Sequence, residues 1–165
     1  MHNNVIAVFD SHQNAVAAIQ ELLSNKLASK DISLLGKMDA EDISRTGQGI
    51  TEGKVVGSTT VLGATLGVLA GVGILAIPGI GFLYGAGALA GAIAGLDFGI
   101  IGGGIISAIL LTNEKTEIAS IYDDYLKNGK TLLIFRGNDA EIEKAKIILE
   151  GLKTSSSVQV HKENE

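Results

Sequence analysis

Apolar and polar residues follow three different rhythms along the chain. Residues 4–9 (NVIAVF) form a β-branched apolar run that reads as a strand, and the segment that follows, DSHQNAVAAIQELLSNKLA, switches to helical spacing. There Ala15, Ile19, Leu22 and Leu23 share one face, with Asp10 or Ser11 placed to cap the helix. DISLLGKM, residues 31–38, reads as a second strand. The same order returns near the other end. KTLLIFRG (130–137) is strand-like, Asn138 or Asp139 caps a helix with Ile142, Ala145, Ile148, Leu149 and Leu152 on one side, and SVQVH (157–161) alternates as a last strand. Each end therefore has the size and order of a βαβ unit, and two such units pairing into one four-stranded sheet with both helices on one face give an α+β, ferredoxin-like arrangement. Residues 116–127, TEIASIYDDYLK, predict a further helix with Ile118, Ile121, Tyr122 and Tyr125 as its apolar stripe.

The middle of the chain follows the third rhythm. Between Val55 and Thr112 the only charged residue is Asp97, and glycine recurs at every fourth position: Gly63, Gly67 and Gly71, then Gly87, Gly91, Gly95, Gly99 and Gly103. A glycine inside a helix costs roughly 1 kcal/mol relative to alanine, so such rows imply a compensating close contact. Small residues four apart let two helix backbones approach closely, the packing used where lipid removes any hydrophobic drive between helices. Val56 to Ile77 is long enough for a helix of roughly 33 Å, and Phe82 to Leu111 is longer. Pro78, Gly79 and Gly81 interrupt the two and predict a tight reversal. The expectation is a two-helix hairpin whose glycine rows pack against each other, against further copies of the chain, or both.

This divides the chain into a first βαβ half (1–44), a linker (45–54), the glycine-zipper hairpin (55–112), a connecting helix (113–129) and a second βαβ half (130–165). Lys and Arg flank the hairpin at Arg45, Lys54, Lys115, Lys127 and Lys130 and are absent from its turn, which predicts a membrane hairpin with both chain termini in the cytosol. Few aromatics mark the interfaces, only Phe82 and Tyr84 near the turn, and Gly102 to Gly104 weaken the second helix. A soluble assembly in which hairpins bury one another is therefore the alternative. Asp97 falls alongside residues 60–65 of the first arm, within reach of Thr60 or Thr65, where an acid fixes helix register; a channel using Asp97 is the more demanding reading.

Composition narrows the chemistry. The 165 residues include 22 glycines and no cysteine or tryptophan, which removes disulfides and thiolate chemistry. A net charge of −5 without a basic run argues against a nucleic-acid partner. The N-terminal residues show neither a signal peptide nor a transit peptide. TGQGITEGKV (46–55) departs from a phosphate loop in spacing and in the residue after Lys54, and LDFG (96–99) lacks the other kinase motifs. His2 and His161 would approach each other at the sheet edge, but without a third ligand they read as solvated, as do Asp123 and Asp124. The expectation is a protein without catalytic, metal, cofactor or small-molecule sites, whose partners are a lipid bilayer and copies of itself.

VIAVFDSHQNAVAAIQEL, DISLLGK, a Gly/Ala-rich stretch containing LAIPGIG, and KTLLIFRGNDAEIEKAKIILEG together resemble the bacterial heat-induced general stress proteins with a general stress protein 17M-like domain. The resemblance spans most of the chain. It implies a small α+β domain interrupted by a glycine-zipper hairpin, membrane association, stress-linked expression and no catalytic residues.

Overall fold

A computed structural model describes residues 3–38, 72–77, 81–87 and 116–161. Strand β1 (Asn3–Phe9) leads into helix α1 (His12–Ser24), a 3-10 turn (Ser29–Asp31) and β2 (Ile32–Met38); β3 (Val72–Ile77) and β4 (Gly81–Gly87) follow, then α2 (Thr116–Lys127), β5 (Thr131–Gly137), α3 (Asp139–Gly151) and β6 (Ser155–His161). The fold is mixed α+β, with a 6-stranded sheet in the order β3-β4-β2-β5-β1-β6. Every pairing is antiparallel.

The two ends form as their patterns predict. Ser11, rather than Asp10, caps α1 by accepting the Asn14 backbone N–H at 3.2 Å. At α3 a capping box closes reciprocally, Asn138 accepting from the Glu141 backbone N–H and the Glu141 carboxylate accepting from that of Asn138, both at 3.0 Å. Lys144 donates to the Asn25 carbonyl at 2.5 Å and ties α3 to the end of α1. Alternation then sorts the strands. Val5, Ala7, Phe9, Ile32, Leu34, Leu133 and Phe135 face α1 and α3, where Ala15, Ala18, Ile19, Leu22, Ile142, Ala145 and Leu149 complete the core. Leu23, Ile148 and Leu152, expected in the buried faces, pack at its margin.

The opposite face of the sheet is closed as well. Ile6, Val8, Leu35 and Leu132 alternate with the residues of the main core, and all four are completely buried. Among the described side chains of α2 the buried ones are Tyr122 and Leu126, whereas Ile121, expected in the apolar stripe, is half exposed; the side chain of Ile118 lies outside the described residues. A helix laid on a sheet buries a face set by its contact line, and here that line runs through Tyr122 and Leu126, a four-residue spacing that rotates Ile121 outward.

The largest departure from expectation is in the middle. Val72–Ile77 and Gly81–Gly87 are strands, not the adjoining ends of two helices. Ile77 pairs with Gly81, so the chain reverses between them as a β-hairpin, and Gly81 opens β4. β4 then pairs with β2 from Phe82 opposite Met38 to Gly87 opposite Ser33. Pairing along six residues of β2 and a core seat for Tyr84 favour the extended form over a helix whose glycines gain nothing locally. Gly87, expected in a helical row, ends β4 with φ +80, and an added Cβ would lie 2.2 Å from the Ile32 carbonyl oxygen. Its lack of a side chain serves a close backbone approach within the sheet. No helix among the described residues is long and apolar enough to cross a membrane. Gly63, Gly67, Gly71, Gly91, Gly95, Gly99, Gly103, Pro78, Gly79, Asp97, His2 and the 45–54 linker lie outside the described residues.

Candidate functional site

Two tyrosine–histidine pairs stand on opposite faces of the sheet. The first assembles where β1 ends. Phe9 lies opposite Thr131, and Tyr84 lies opposite Gly36. The Tyr84 ring extends over Gly36, so close that a Cβ there would meet the hydroxyl oxygen at 2.7 Å and Cε1 at 2.8 Å. An aromatic ring covering a cross-strand glycine fills the space that the missing side chain leaves. The hydroxyl reaches His12 Nδ1 at the first turn of α1, and the two rings meet edge to face with centroids 5.4 Å apart.

Burial pushes the Tyr84 hydroxyl above the ordinary phenol range, against a smaller downward pull from its hydrogen bond with the Thr131 side chain. The phenol thus keeps its proton at neutral pH, and its hydroxyl shares a hydrogen bond with His12 Nδ1 whose direction follows the imidazole's tautomer. A phenol held in this state is a poor base and a poor nucleophile. It is well suited to fastening β4 across β2 to α1.

Just outside this pair, Asp10 accepts from Lys130 Nζ and, at 2.8 Å, from Ser156 Oγ, linking the ends of three strands. The Lys130 hydrogen bond holds the Asp10 carboxyl below its usual range, with the Ser156 bond and the Lys130 charge adding to it. A depressed carboxyl contributes stability above its unfolded pKa and loses it as pH falls through the folded value. Asp10 is exposed, so the contribution is small. Wild type should melt slightly above Asp10→Asn at pH 7, and the gap should close below about pH 4 in thermal scans at both pH values.

The second pair lies beneath α2. Tyr122 Oη is 2.8 Å from His161 Nε2 and 3.4 Å from Gln159 Oε1, and the Tyr122 and His161 rings meet edge to face at 5.8 Å. His161, expected to be solvated, is buried. Its register partner across the β1–β6 ladder is Asn4, also buried, whose Oδ1 has no hydrogen-bond partner among the described residues. Asp124 is exposed and 3.9 Å from Lys127, as a solvated face predicts, whereas Asp123 is half-buried. α2 contacts β2 and β5, and from it the Tyr122 side chain reaches over to the polar side of β6 and covers His161, while Val158 and Val160 pack against the main core on the other side.

Sequence reasoning noticed Tyr84 only as an aromatic near a turn and gave no role to His12. A strand reading of GFLYGAG, in which Tyr84 is followed by Gly85 and Ala86, is the signal that points to a ring lying on a sheet. Among the described residues, no group of three or more His, Cys, Asp or Glu side chains could hold a metal ion. Comparison with protein families, with curated proteins and with solved structures finds no match to this chain.

Proposed function

We propose that this chain is a non-enzymatic, stress-associated membrane protein in which a ferredoxin-like domain carries an apolar, self-associating segment. The domain is the unit β2-β5-β1-β6 with α1 and α3 packed on one face, two strand–helix–strand halves in one sheet. The observation that carries the membrane reading is the stretch from Val55 to Thr112, whose only charge is Asp97. Elements of a single sheet domain, β2 before it and α2 after it, flank this stretch. Both flanks then lie on one side of a bilayer, which suits an even number of crossings with cytosolic ends. The glycine rows supply close-packing surfaces for homo-oligomers in lipid.

A soluble assembly is the second reading, favoured by the seating of β3 and β4 in the sheet instead of in long helices. Fractionation of the expressed full chain separates the two. Retention of the pellet through an alkaline carbonate wash, followed by release into mild detergent, is the expected result; recovery in the supernatant as a large lipid-free particle would establish the soluble assembly.

A further inference from the structure

Strand β6 is the last in the sheet order and pairs with β1 alone among the described residues. Along its outer side alternate residues direct their N–H and C=O away from the ladder, and such an edge is a template for a further strand. Sheet edges are commonly guarded by proline, by lysine or by a bulge. β6 has no proline and no charged residue from Ser155 to Val160. Its guard is a bulge at the start: Ser157 lies opposite Val8 and Ser155 opposite Phe9, which leaves Ser156 without a register partner, its hydroxyl bonded to Asp10. The regular edge therefore runs from Ser157 to His161.

That segment matches itself. Turned about a two-fold axis through Gln159, SVQVH lies antiparallel to its own copy with Val158 opposite Val160, Gln159 opposite Gln159 and Ser157 opposite His161. Directly opposed residues share a face, so the valines, which pack on the main core and are only partly buried, meet on the α3 side and the polar residues on the other. Other registers fit worse. A slip of one residue sets Val158 against Gln159 and turns the two cores to opposite faces; a slip of two sets Val160 against the bulged Ser156 or runs beyond His161, where β6 ends.

The helix above the edge suits the same axis. α3 packs on β6, β1 and β5, α1 packs on β5, β1 and β2, and Lys144 reaches across to α1. By helical spacing, the side of α3 turned from Lys144 toward the free edge carries Glu143, Lys146 and Glu150. Acid, base and acid in one row can set lysine against glutamate in an antiparallel copy, whereas a row of one sign would repel itself.

We propose that β6 is a homodimer interface, at which a second copy of the chain adds its own β6 antiparallel across the axis at Gln159 and the two sheets continue as one. A second copy suits the edge better than a foreign strand, because one axis matches valine to valine and acid to base using the chain's own residues. No residue of the glycine rows takes part, so the contact forms whether the apolar stretch lies in lipid or in a soluble assembly.

The chain has no cysteine, so a single introduced thiol reports the axis. In the full chain, Gln159→Cys places two thiols directly opposite each other within disulfide reach, whereas Ser157→Cys places its pair about 14 Å apart along the strands. Asp124→Cys, on the exposed side of α2, measures random collision. Oxidation with diamide, in the expressing cells and again after purification in mild detergent, is expected to join Gln159→Cys into a homodimer at least about tenfold faster than either control. A rate equal to that of a control overturns the interface. So does a mixed disulfide of Gln159→Cys with a different polypeptide in place of the homodimer, which gives the edge to a foreign strand. A second measurement needs no thiol. Gln159 is exposed, so Gln159→Glu and Gln159→Lys should melt close to wild type, yet each opposes two like charges at the axis. Each alone is expected to weaken dimerisation about fivefold in sedimentation, and an equimolar mixture to restore it. A mixture that associates no better than its components overturns the interface.

Discussion

Gly87→Ala is expected to destabilise the protein by roughly 3 kcal/mol, about 10 °C in melting temperature for a chain of this size. Two separate costs contribute. Alanine at φ +80 is strained wherever it occurs, and at this position the new methyl would also stand 2.2 Å from the Ile32 carbonyl oxygen, an atom of the neighbouring strand that cannot swing aside. Gly129 isolates the first cost, since its φ is +79 but nothing lies within 4 Å of an added Cβ. Gly129→Ala should therefore lower the melting temperature by only a few degrees. The pair also discriminates between structures for the middle of the chain. In a helical glycine row, alanine at 87 would favour the helix by roughly 1 kcal/mol, so a Gly87→Ala melt at or above wild type would remove β4 from the sheet.

The ends of the chain were legible because side chains there mark the period. Ile142, Ala145 and Leu149 share a helical face, Asn138 and Glu141 announce its start, and Val158 and Val160 alternate with polar neighbours. The middle gave no such mark. A glycine every fourth residue satisfies helical spacing, yet four is also an even number, so the same row lies on one face of a strand. GFLYGAG and VGILAI on either side of a proline and glycines are as good a strand hairpin as a helical one, and the length of the apolar run tipped the reading toward helices. What decided the matter was the open edge of β2, a partner 48 positions before Tyr84.

The candidate site was hidden for the same reason. Gly36 and Tyr84 become neighbours only once the β2–β4 register exists, and His12 becomes their partner only once α1 lies across the sheet. His161 misled in the opposite direction. On β6 it belongs to the polar side of an alternating strand, which reads as solvent-facing until Tyr122 of α2 is placed over it.

A double-mutant cycle on Gly36 and Tyr84 should show strong coupling. Tyr84→Phe preserves the ring over Gly36 and gives up the hydroxyl's bonds to His12 and Thr131, a loss of about 1–2 kcal/mol. Tyr84→Ala empties the seat and should cost about 3–5 kcal/mol, with faster hydrogen exchange along β3 and β4 than along β1 and β5. Gly36→Ala in the wild-type background forces the new methyl into the ring, whose Cε1, Cζ and hydroxyl would all lie under 3 Å away. The three atoms nearest that methyl all belong to the ring, so removing it removes the closest conflict. Gly36→Ala placed on Tyr84→Ala should then cost nothing further, and can recover some stability by restricting the unfolded chain. The expected coupling is at least about 1 kcal/mol, read from urea melts of the four proteins. Additive losses would mean that Gly36 is glycine for a reason unrelated to Tyr84, and that the ring does not lie across β2.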